Sequence, residues 1–280
     1  MRTIQVEEIT RHIREMCIEA NYSLSPDMCH ALEHARAEEG SPLGRQILEQ
    51  LRENLNIAAA DKIPICQDTG MAVIFMEIGQ DVHFQGGSLE GAINEGVRQG
   101  YQEGYLRKSV VSDPCIRENT GDNTPAVIHY ELKEGAAVKI TVAPKGFGSE
   151  NMSRVFMLKP SDGIEGIREA VLTAVRDAGP NACPPMVIGV GIGGTFEKCA
   201  LMAKKALTRP VGEYSSVPYI EEMEKELLRK INASMLGPGG LGGTTTALAV
   251  HIDTYPTHIA GLPVGVNICC HVNRHVVRVV

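Results

Sequence analysis

Apolar residues recur at intervals of three and four from Ile4 to about Ala60, the spacing of one face of an α-helix. The segment IQVEEITRHIREMCIEA predicts a first helix. HALEHARAEEG predicts a second after SLSPD, which offers a Ser or Asp cap, and SPLGRQILEQLRENLNIAAA predicts a third. We therefore expect an α+β fold in one domain, with a helical N-terminal part (1–62) and a mixed sheet and helix part (63–280).

Strands and helices are both predicted after residue 62. The continuous apolar run MAVIFMEIG predicts a buried strand, and SLEGAINEGVRQGYQEG predicts a helix with a Ser cap and a Gly stop. PAVIHYELK and AAVKITVAP are joined by a short EG turn and predict a β-hairpin. Further on, GIEGIREAVLTAVRDAG, TFEKCALMAKKAL and an acidic segment predict helices, whereas PPMVIGVGIGG, the end of GPGGLGGTTTALAVHI and residues 262–268 predict strands.

A G-x-G-x-x-G pattern at Gly189, Gly191 and Gly194 raises the possibility of a dinucleotide site. Such a unit requires a second apolar strand ending in an acid about 20 residues beyond the glycines. Here TRPVGEYSSVPYIEEMEKELLRKINAS supplies a proline-interrupted loop and an acidic helix instead. Nucleotide binding is therefore a minor alternative. The turn still offers backbone N–H groups to an anion or to cluster sulfides, and its simplest reading is a tight strand-to-helix connection.

Composition and charge exclude several classes of function. The 43% hydrophobic content is spread along the chain, and no apolar run approaches the roughly 18 residues that span a bilayer. The N-terminus MRTIQVEEITRHIREM carries acids where a signal peptide is apolar, so we expect a soluble, cytoplasmic protein. A formal charge of -7 with 27 scattered Lys and Arg argues against nucleic-acid binding. An anionic substrate would need local cations.

The cysteines are the first candidates for chemistry. Eight of them show no short regular spacing, so a disulfide framework is not expected in a chain without an export signal. Within PICQDTG, Cys66 is followed by Gln67, Asp68 and Thr69, whereas a structural cysteine prefers apolar neighbours. This composition indicates a functional site. Cys269-Cys270-His271 is a possible metal corner, although its spacing alone is not specific.

Five motifs occur together along the chain: PICQDTG, KGFGSENMS, NACPPMVIGVGIGG, GPGGLGGTTTALAVHI and NICCHVNRH. Together they resemble the α subunit of the class I, iron-sulfur fumarate hydratases, relatives of the L-tartrate dehydratases, over nearly the whole chain. The resemblance implies a 4Fe-4S cluster held by Cys66, Cys183 and Cys270, with the fourth iron open to substrate. Consecutive side chains of an extended segment point to opposite sides, so only one of Cys269 and Cys270 should face the cluster.

The same resemblance implies roles for five other residues. It assigns Asp68 to acid-base work or to orienting the catalytic group, with Gln67 binding substrate. Arg107 is the expected clamp for a substrate carboxylate, because a guanidinium meets a carboxylate with two parallel hydrogen bonds. His258 matches an active-site histidine, and Gly148 leaves room near the substrate. The alternatives are a turn-capping Asp68, a hydrogen-bonded loop histidine at 258 and a surface arginine at 107.

The predicted site is incomplete in this chain. A small dicarboxylate has two charged ends, whereas the motifs supply one convincing arginine and the chain stops at HVNRHVVRVV. The resemblance implies that a separate β subunit completes the site, so we expect α-β pairs, dimerised, with negligible activity for α alone.

Three functions compete on these residues. Reversible hydration of fumarate to L-malate leads, because KGFGSENMS and YLRKSVVSDP resemble the fumarate branch. The runner-up is the α subunit of an L(+)-tartrate dehydratase, which forms oxaloacetate. A non-catalytic iron-sulfur or nucleotide-binding module comes third. The open iron of the first two implies oxygen sensitivity.

Overall fold

The computed structural model describes all residues from 1 to 280. The chain packs into two compact units, each built from segments that are distant in sequence. Residues 1–25, 54–147 and 274–280 form the first unit, and residues 26–53 and 148–273 form the second. The division into parts 1–62 and 63–280 stays a prediction.

Helices and strands both contribute to the chain, which confirms the predicted α+β class. The helices are α1 Val6–Tyr22, α2 Pro26–Glu38, α3 Pro42–Asp61, α4 Leu89–Glu103, α5 Phe147–Glu150, α6 Gly163–Ala178, α7 Phe196–Ala206 and α8 Pro218–Asn232. The strands are β1 Arg2–Gln5, β2 Met71–Gly79, β3 Val82–Gln85, β4 Val127–Lys133, β5 Val138–Lys145, β6 Arg154–Leu158, β7 Met186–Gly193, β8 Ala247–Tyr255, β9 Leu262–Cys269 and β10 Val276–Val279. None of the helices combines the length and the apolar composition that crossing a bilayer requires.

The first unit is built on a sheet with the strand order β10-β5-β2-β4. One face of α1 carries Ile9, Ile13 and Met16, all fully buried. They share a core with Ile74 of β2 and Ile140 of β5. Burying a large aliphatic side chain contributes about 1.5–3 kcal/mol, so this face of α1 stabilises the helix on the sheet.

The predicted hairpin of PAVIHYELK and AAVKITVAP is wrong. Both segments are strands, but β4 pairs in parallel with β2 and β5 pairs antiparallel with it, so β2 lies between them. The connection from β4 to β5 passes the end of β2 at Gly79, where a Cβ would lie 2.3 Å from the carbonyl oxygen of Gly135. Because β2 is buried over most of its length, it takes a central position, and the more exposed β4 becomes an edge.

The second unit is built on a sheet with the order β6-β9-β7-β8, in which β7 is buried at every position. Gly189 and Gly191 lie inside β7, where a Cβ would come within 2.0 Å of the Ala203 oxygen and 2.1 Å of the Cys199 oxygen. Their missing side chains let α7 approach the strand. Two glycines of the nucleotide pattern therefore have a packing role, and only Gly194 lies in the turn, with φ of 69°.

The first helix begins two residues later than predicted. Residues 2 to 5 form β1, which pairs in parallel with β3, so α1 begins at Val6 and not at Ile4. This pairing joins segments about 80 positions apart, as in Ile4 with Phe84, and no local pattern reports it. Strands β3, β6 and β10 were likewise not predicted. The other predicted helices and strands are confirmed within a few residues.

Candidate functional site

Cys66 lies in the loop between α3 and β2 of the first unit. Its side chain is half-buried, and the thiol donates to the Gln67 amide oxygen at 3.3 Å. The sulfur also accepts the backbone N–H of Asp68 at 3.4 Å. Gln67 itself is exposed. The thiol is thus held at an accessible, polar position, as the composition of PICQDTG predicts.

The Asp68 carboxylate is oriented by two backbone donors. Oδ1 accepts the N–H of Gly70 and Oδ2 accepts the N–H of Phe147, each at 3.0 Å. The first bond is the local turn expected of a capping aspartate, but the second joins Asp68 to the KGFGSENMS motif. A carboxylate oxygen has two lone pairs, so each oxygen keeps acceptor capacity toward the site.

Buried donors behind the loop hold its backbone. The hydroxyl of Tyr101 lies 2.9 Å from the carbonyl oxygens of both Thr69 and Gly70, and Asn123 donates to Gly70 at 3.2 Å. Burial raises the pKa of Tyr101 above its ordinary value, so the phenol remains a donor. The loop that carries Cys66 is therefore rigid on its inner side.

Arg107 is attached to the same loop through its backbone. The Thr69 hydroxyl donates to the Arg107 carbonyl at 3.1 Å. The Arg107 side chain is exposed and makes no hydrogen bond or ion pair within the chain. The structure therefore brings the backbone of this predicted clamp to the loop of Cys66, Gln67 and Asp68 and leaves its guanidinium available.

Cys183 lies in a tight turn of the second unit. It is exposed and has a left-handed backbone with φ of 52°, which is uncommon for a residue with a side chain. Its carbonyl accepts the backbone N–H of His271 at 3.3 Å and lies 3.0 Å from His271 Nδ1. Since a carbonyl only accepts, Nδ1 carries the proton. These bonds join the turn of Cys183 to the segment that contains Cys270.

The adjacent cysteines differ in accessibility. Cys269 is the last residue of β9, pairs with Val187 and is only 5% exposed. Cys270 lies just beyond the strand and is half-buried. Of the two thiols, that of Cys270 is the more accessible to a bound group.

The glycine tract at 237–243 supports the turn of Cys183. Gly239 donates its N–H to the Pro184 carbonyl at 2.9 Å, and a Cβ on Gly240 would lie 2.4 Å from the Pro180 side chain. Only a residue without a side chain fits at position 240. The tract therefore has a structural role next to a predicted ligand.

A buried carboxylate anchors the end of this tract. Glu39 is 1% exposed and accepts hydrogen bonds from Ser41 N, Thr244 N and Oγ1, and Thr245 N. Burial by itself raises the pKa of Glu39, but these bonds outweigh it and hold the pKa below its ordinary value of 4.5. The charged form of Glu39 thus fixes the loop.

The KGFGSENMS motif also contributes to the strand before Cys270. Asn267 of β9 is buried and donates to Glu150 at 2.9 Å and to Ser153 at 2.6 Å. Lys204 forms an ion pair with Glu150 and donates to Asn267 at 3.3 Å. This network fixes β9 shortly before its end. It gives Glu150 and Ser153 of the motif a role in holding β9.

The two remaining predicted residues lie in the second unit. His258 is exposed, and its Nδ1 accepts the N–H of Ala260 at 3.1 Å, so a neutral ring carries its proton on Nε2. This is the bond expected of a hydrogen-bonded loop histidine, and the assignment of His258 to the active site stays a prediction. A Cβ on Gly148 would meet nothing within 4 Å, so this position faces open space.

No group of three or more His, Cys, Asp or Glu side chains comes together with metal-binding geometry, and none of the eight cysteines forms a disulfide. The first unit contains Cys66, and the second contains Cys183 and Cys270. Each of these thiols lies in a loop or at a strand end and is at least partly accessible, unlike Cys17 and Cys199. Cysteine thiolates are the usual ligands of iron-sulfur clusters, and these three thiols are accessible, so the residues fit such a group.

Several residues of this region were missed by sequence reasoning. Tyr101, Asn123 and Arg274 donate to the loop that carries Cys66 and Asp68, and Glu39 accepts from Thr244 just after the glycine tract. Nothing in their local sequence marks them, since these partners lie 32 positions away for Tyr101 and more than 50 positions away for the other three. Only the NICCHVNRH motif, which contains Arg274, carried a signal.

Comparison with known proteins shows the family of the chain. The chain matches the family described as Fumarate hydratase (Fumerase) over residues 10–279. A putative L(+)-tartrate dehydratase subunit alpha of Methanocaldococcus jannaschii is 41% identical over 277 residues, covering 97% of each chain. The L(+)-tartrate dehydratase subunit alpha of Escherichia coli K12 is 28% identical over 272 residues, 96% of this chain and 89% of the relative.

Hydratases and dehydratases are hydro-lyases, enzymes that add water to a double bond or remove it, and this is the class that the comparisons define. The chain belongs to the fumarate hydratase and L(+)-tartrate dehydratase α-subunit family.

Proposed function

We propose that this chain is the α subunit of a 4Fe-4S-dependent hydro-lyase that reversibly hydrates fumarate to L-malate. One observation carries the proposal: Asp68, oriented by two N–H donors, lies two residues from the accessible thiol of Cys66. Hydration of an alkene requires hydroxide at one carbon and a proton at the next, and a fixed carboxylate is suited to the second task.

Three cysteines of this chain would hold the cluster: Cys66, Cys183 and Cys270. The burial of Cys269 supports the choice of its neighbour. Three thiolates leave one iron without a protein ligand. When bound, that iron supplies a Lewis acid for the hydroxyl group that is gained or lost.

The chain's own residues account for the remaining steps. A lone pair of Asp68 that neither Gly70 nor Phe147 occupies takes the proton from the substrate carbon during dehydration and returns it during hydration. The exposed Gln67 amide donates to the substrate. The Arg107 guanidinium binds one substrate carboxylate with two parallel hydrogen bonds. His258 donates from Nε2 to a substrate oxygen.

A β subunit completes the enzyme in this proposal. The relatives are named as subunit alpha of a dehydratase, which implies a second kind of subunit. Among the residues assigned to substrate, Arg107 is the only arginine, so a partner would supply the cation for the second carboxylate. We propose that α-β pairs form the active enzyme, and that they dimerise, in the cytoplasm.

L(+)-tartrate is the second candidate substrate, because both relatives above are named for it. The assembled pair, purified without oxygen, should be assayed with fumarate, L-malate and L(+)-tartrate. We expect kcat/KM for fumarate and malate to exceed that for tartrate by about tenfold or more, which is about 1.4 kcal/mol of differential transition-state binding. The reverse ratio would assign the enzyme to tartrate, and turnover of none of the three would refute the hydro-lyase proposal.

A further inference from the structure

Arg274 connects two segments of the first unit from inside the core. The residue is only 4% exposed. Its Nη2 donates to the carbonyl of Asp68 at 2.5 Å, and its Nε donates to the carbonyl of Pro144 at 3.4 Å. One side chain therefore links the loop of Asp68 to strand β5, whose end leads into Phe147.

The charge of Arg274 has no counterion in the chain. Its Nη1 is buried without a hydrogen-bond partner, and no carboxylate lies within ion-pair distance. Arg278, four residues on, is by contrast paired with Glu15 and Glu19. A buried guanidinium without a counterion carries a desolvation cost. No ion pair within the chain offsets that cost, so a negative charge at the adjacent loop would reduce it.

Arg274 is also distinct among the donors behind the loop. The carbonyls of Thr69 and Gly70 are held by neutral groups, the Tyr101 hydroxyl and the Asn123 amide. The carbonyl of Asp68 alone is held by a cation. A hydrogen bond from a charged donor is roughly twice as strong as a neutral one. The strongest donor therefore acts on the residue assigned to proton transfer.

We infer that Arg274 is a positioning residue, which fixes the peptide of Asp68 and supplies positive charge behind the anions gathered at its loop. Because Nη1 is buried, Arg274 acts through the loop and does not touch substrate. The anions are the Asp68 carboxylate and, in the proposed function, a cluster-binding Cys66 thiolate and a dicarboxylate substrate. The part that concerns substrate rests on the proposed function.

Amide hydrogen exchange in the cluster-free full chain tests the positioning directly. The reporters are the N–H groups of Gly70 and Phe147, which bind the Asp68 carboxylate. In Arg274→Met we expect both to exchange about tenfold faster or more, because the loop opens locally. Arg274→Lys keeps the charge and should show a smaller increase. Arg278→Met is the matched control, with a lower Tm and unchanged exchange at these two amides.

Steady-state kinetics of the assembled enzyme, expressed per cluster iron, give a second readout. A residue that orients a catalytic group affects kcat, typically about 10–100-fold, with little change in KM. We expect this split in Arg274→Met, with partial recovery in Arg274→Lys.

Two results would overturn the inference: wild-type exchange at Gly70 and Phe147 in Arg274→Met, or a loss of activity that only follows the folded fraction, as in Arg278→Met. If Arg274→Met does not fold, the test rests on Arg274→Lys. Wild-type exchange and wild-type kcat in that variant would overturn the inference. If the wild-type pair turns over no dicarboxylate, the proposed function fails, while the exchange experiment still decides whether Arg274 positions Asp68.

Discussion

At the residue scale, the account depends on Asp68. Replacing it with Asn keeps the size of the side chain but removes the basic oxygen, so we expect kcat to fall by about 10²–10⁴-fold. Iron content should stay at the wild-type level, because Asp68 is not a proposed ligand. Anaerobic initial rates of the assembled enzyme, together with iron analysis, measure both quantities.

Asp113→Asn is the control for that substitution. Asp113 lies in the same unit and also accepts two backbone N–H groups, from Cys115 and Ile116, but lies in an exposed turn. Its variant should keep wild-type kcat. Equal activity of Asp68→Asn and wild type would remove Asp68 from the mechanism.

Candidate site residues could be predicted where they lie next to each other in the sequence. Cys66, Gln67 and Asp68 are consecutive, so their unusual composition is visible in one short segment. The groups that orient them were not predictable, because Tyr101 and Arg274 contact the loop from about 30 and 200 positions away. A periodicity reports which face of a segment is buried, but it does not report which distant donor meets a given carbonyl.

At the scale of elements, the Glu39 carboxylate joins the end of α2 to the loop that precedes β8 through hydrogen bonds. Glu39→Gln replaces one acceptor oxygen with a donor that faces the N–H groups of Thr244 or Thr245. We expect the free energy of unfolding to fall by about 2 kcal/mol or more near neutral pH. Urea denaturation of the cluster-free chain measures this loss, and the exposed neighbour Glu38→Gln provides a matched control.

The contribution of Glu39 has a defined pH dependence. Its pKa is lower in the folded chain than its ordinary value of 4.5, so its stabilisation is complete above pH 4.5 and is lost as the pH falls toward the folded-state value. The stability difference between wild type and Glu39→Gln should therefore shrink on acidification below 4.5. A difference that stays constant through this range would contradict the role of the charged form.

The helices and strands themselves were largely predictable from the sequence, but which strands pair with each other was not. Apolar periodicity predicts the long helices, and continuous apolar runs predict β2, β7 and β9. The pairing of β4 and β5 was wrongly predicted because a short turn favours a hairpin, whereas burial of β2 favours its insertion between them. The short strand β10 has four residues and exists through its pairing with β5.

At the scale of the whole molecule, the chain is proposed to be one of two parts of an enzyme. We expect no measurable turnover of fumarate or malate by this chain alone, even with a full cluster, and activity on addition of its β subunit. The physical reason is that the residues assigned here supply one free arginine for a substrate with two carboxylates. Anaerobic assays with and without the partner test this. Full activity of the isolated chain would contradict the need for a second subunit.

The central claim is that three thiols of this chain hold one iron-sulfur cluster. The most direct test is the iron and acid-labile sulfide content of the chain purified without oxygen, measured also for Cys66→Ser, Cys183→Ser, Cys270→Ser and, as a control, Cys269→Ser. We predict about four iron and four sulfide per chain in the wild type and in the Cys269 variant, and loss of cluster in the other three. No iron in the wild type, or a cluster that survives in Cys270→Ser and is lost in Cys269→Ser, would contradict this ligand set.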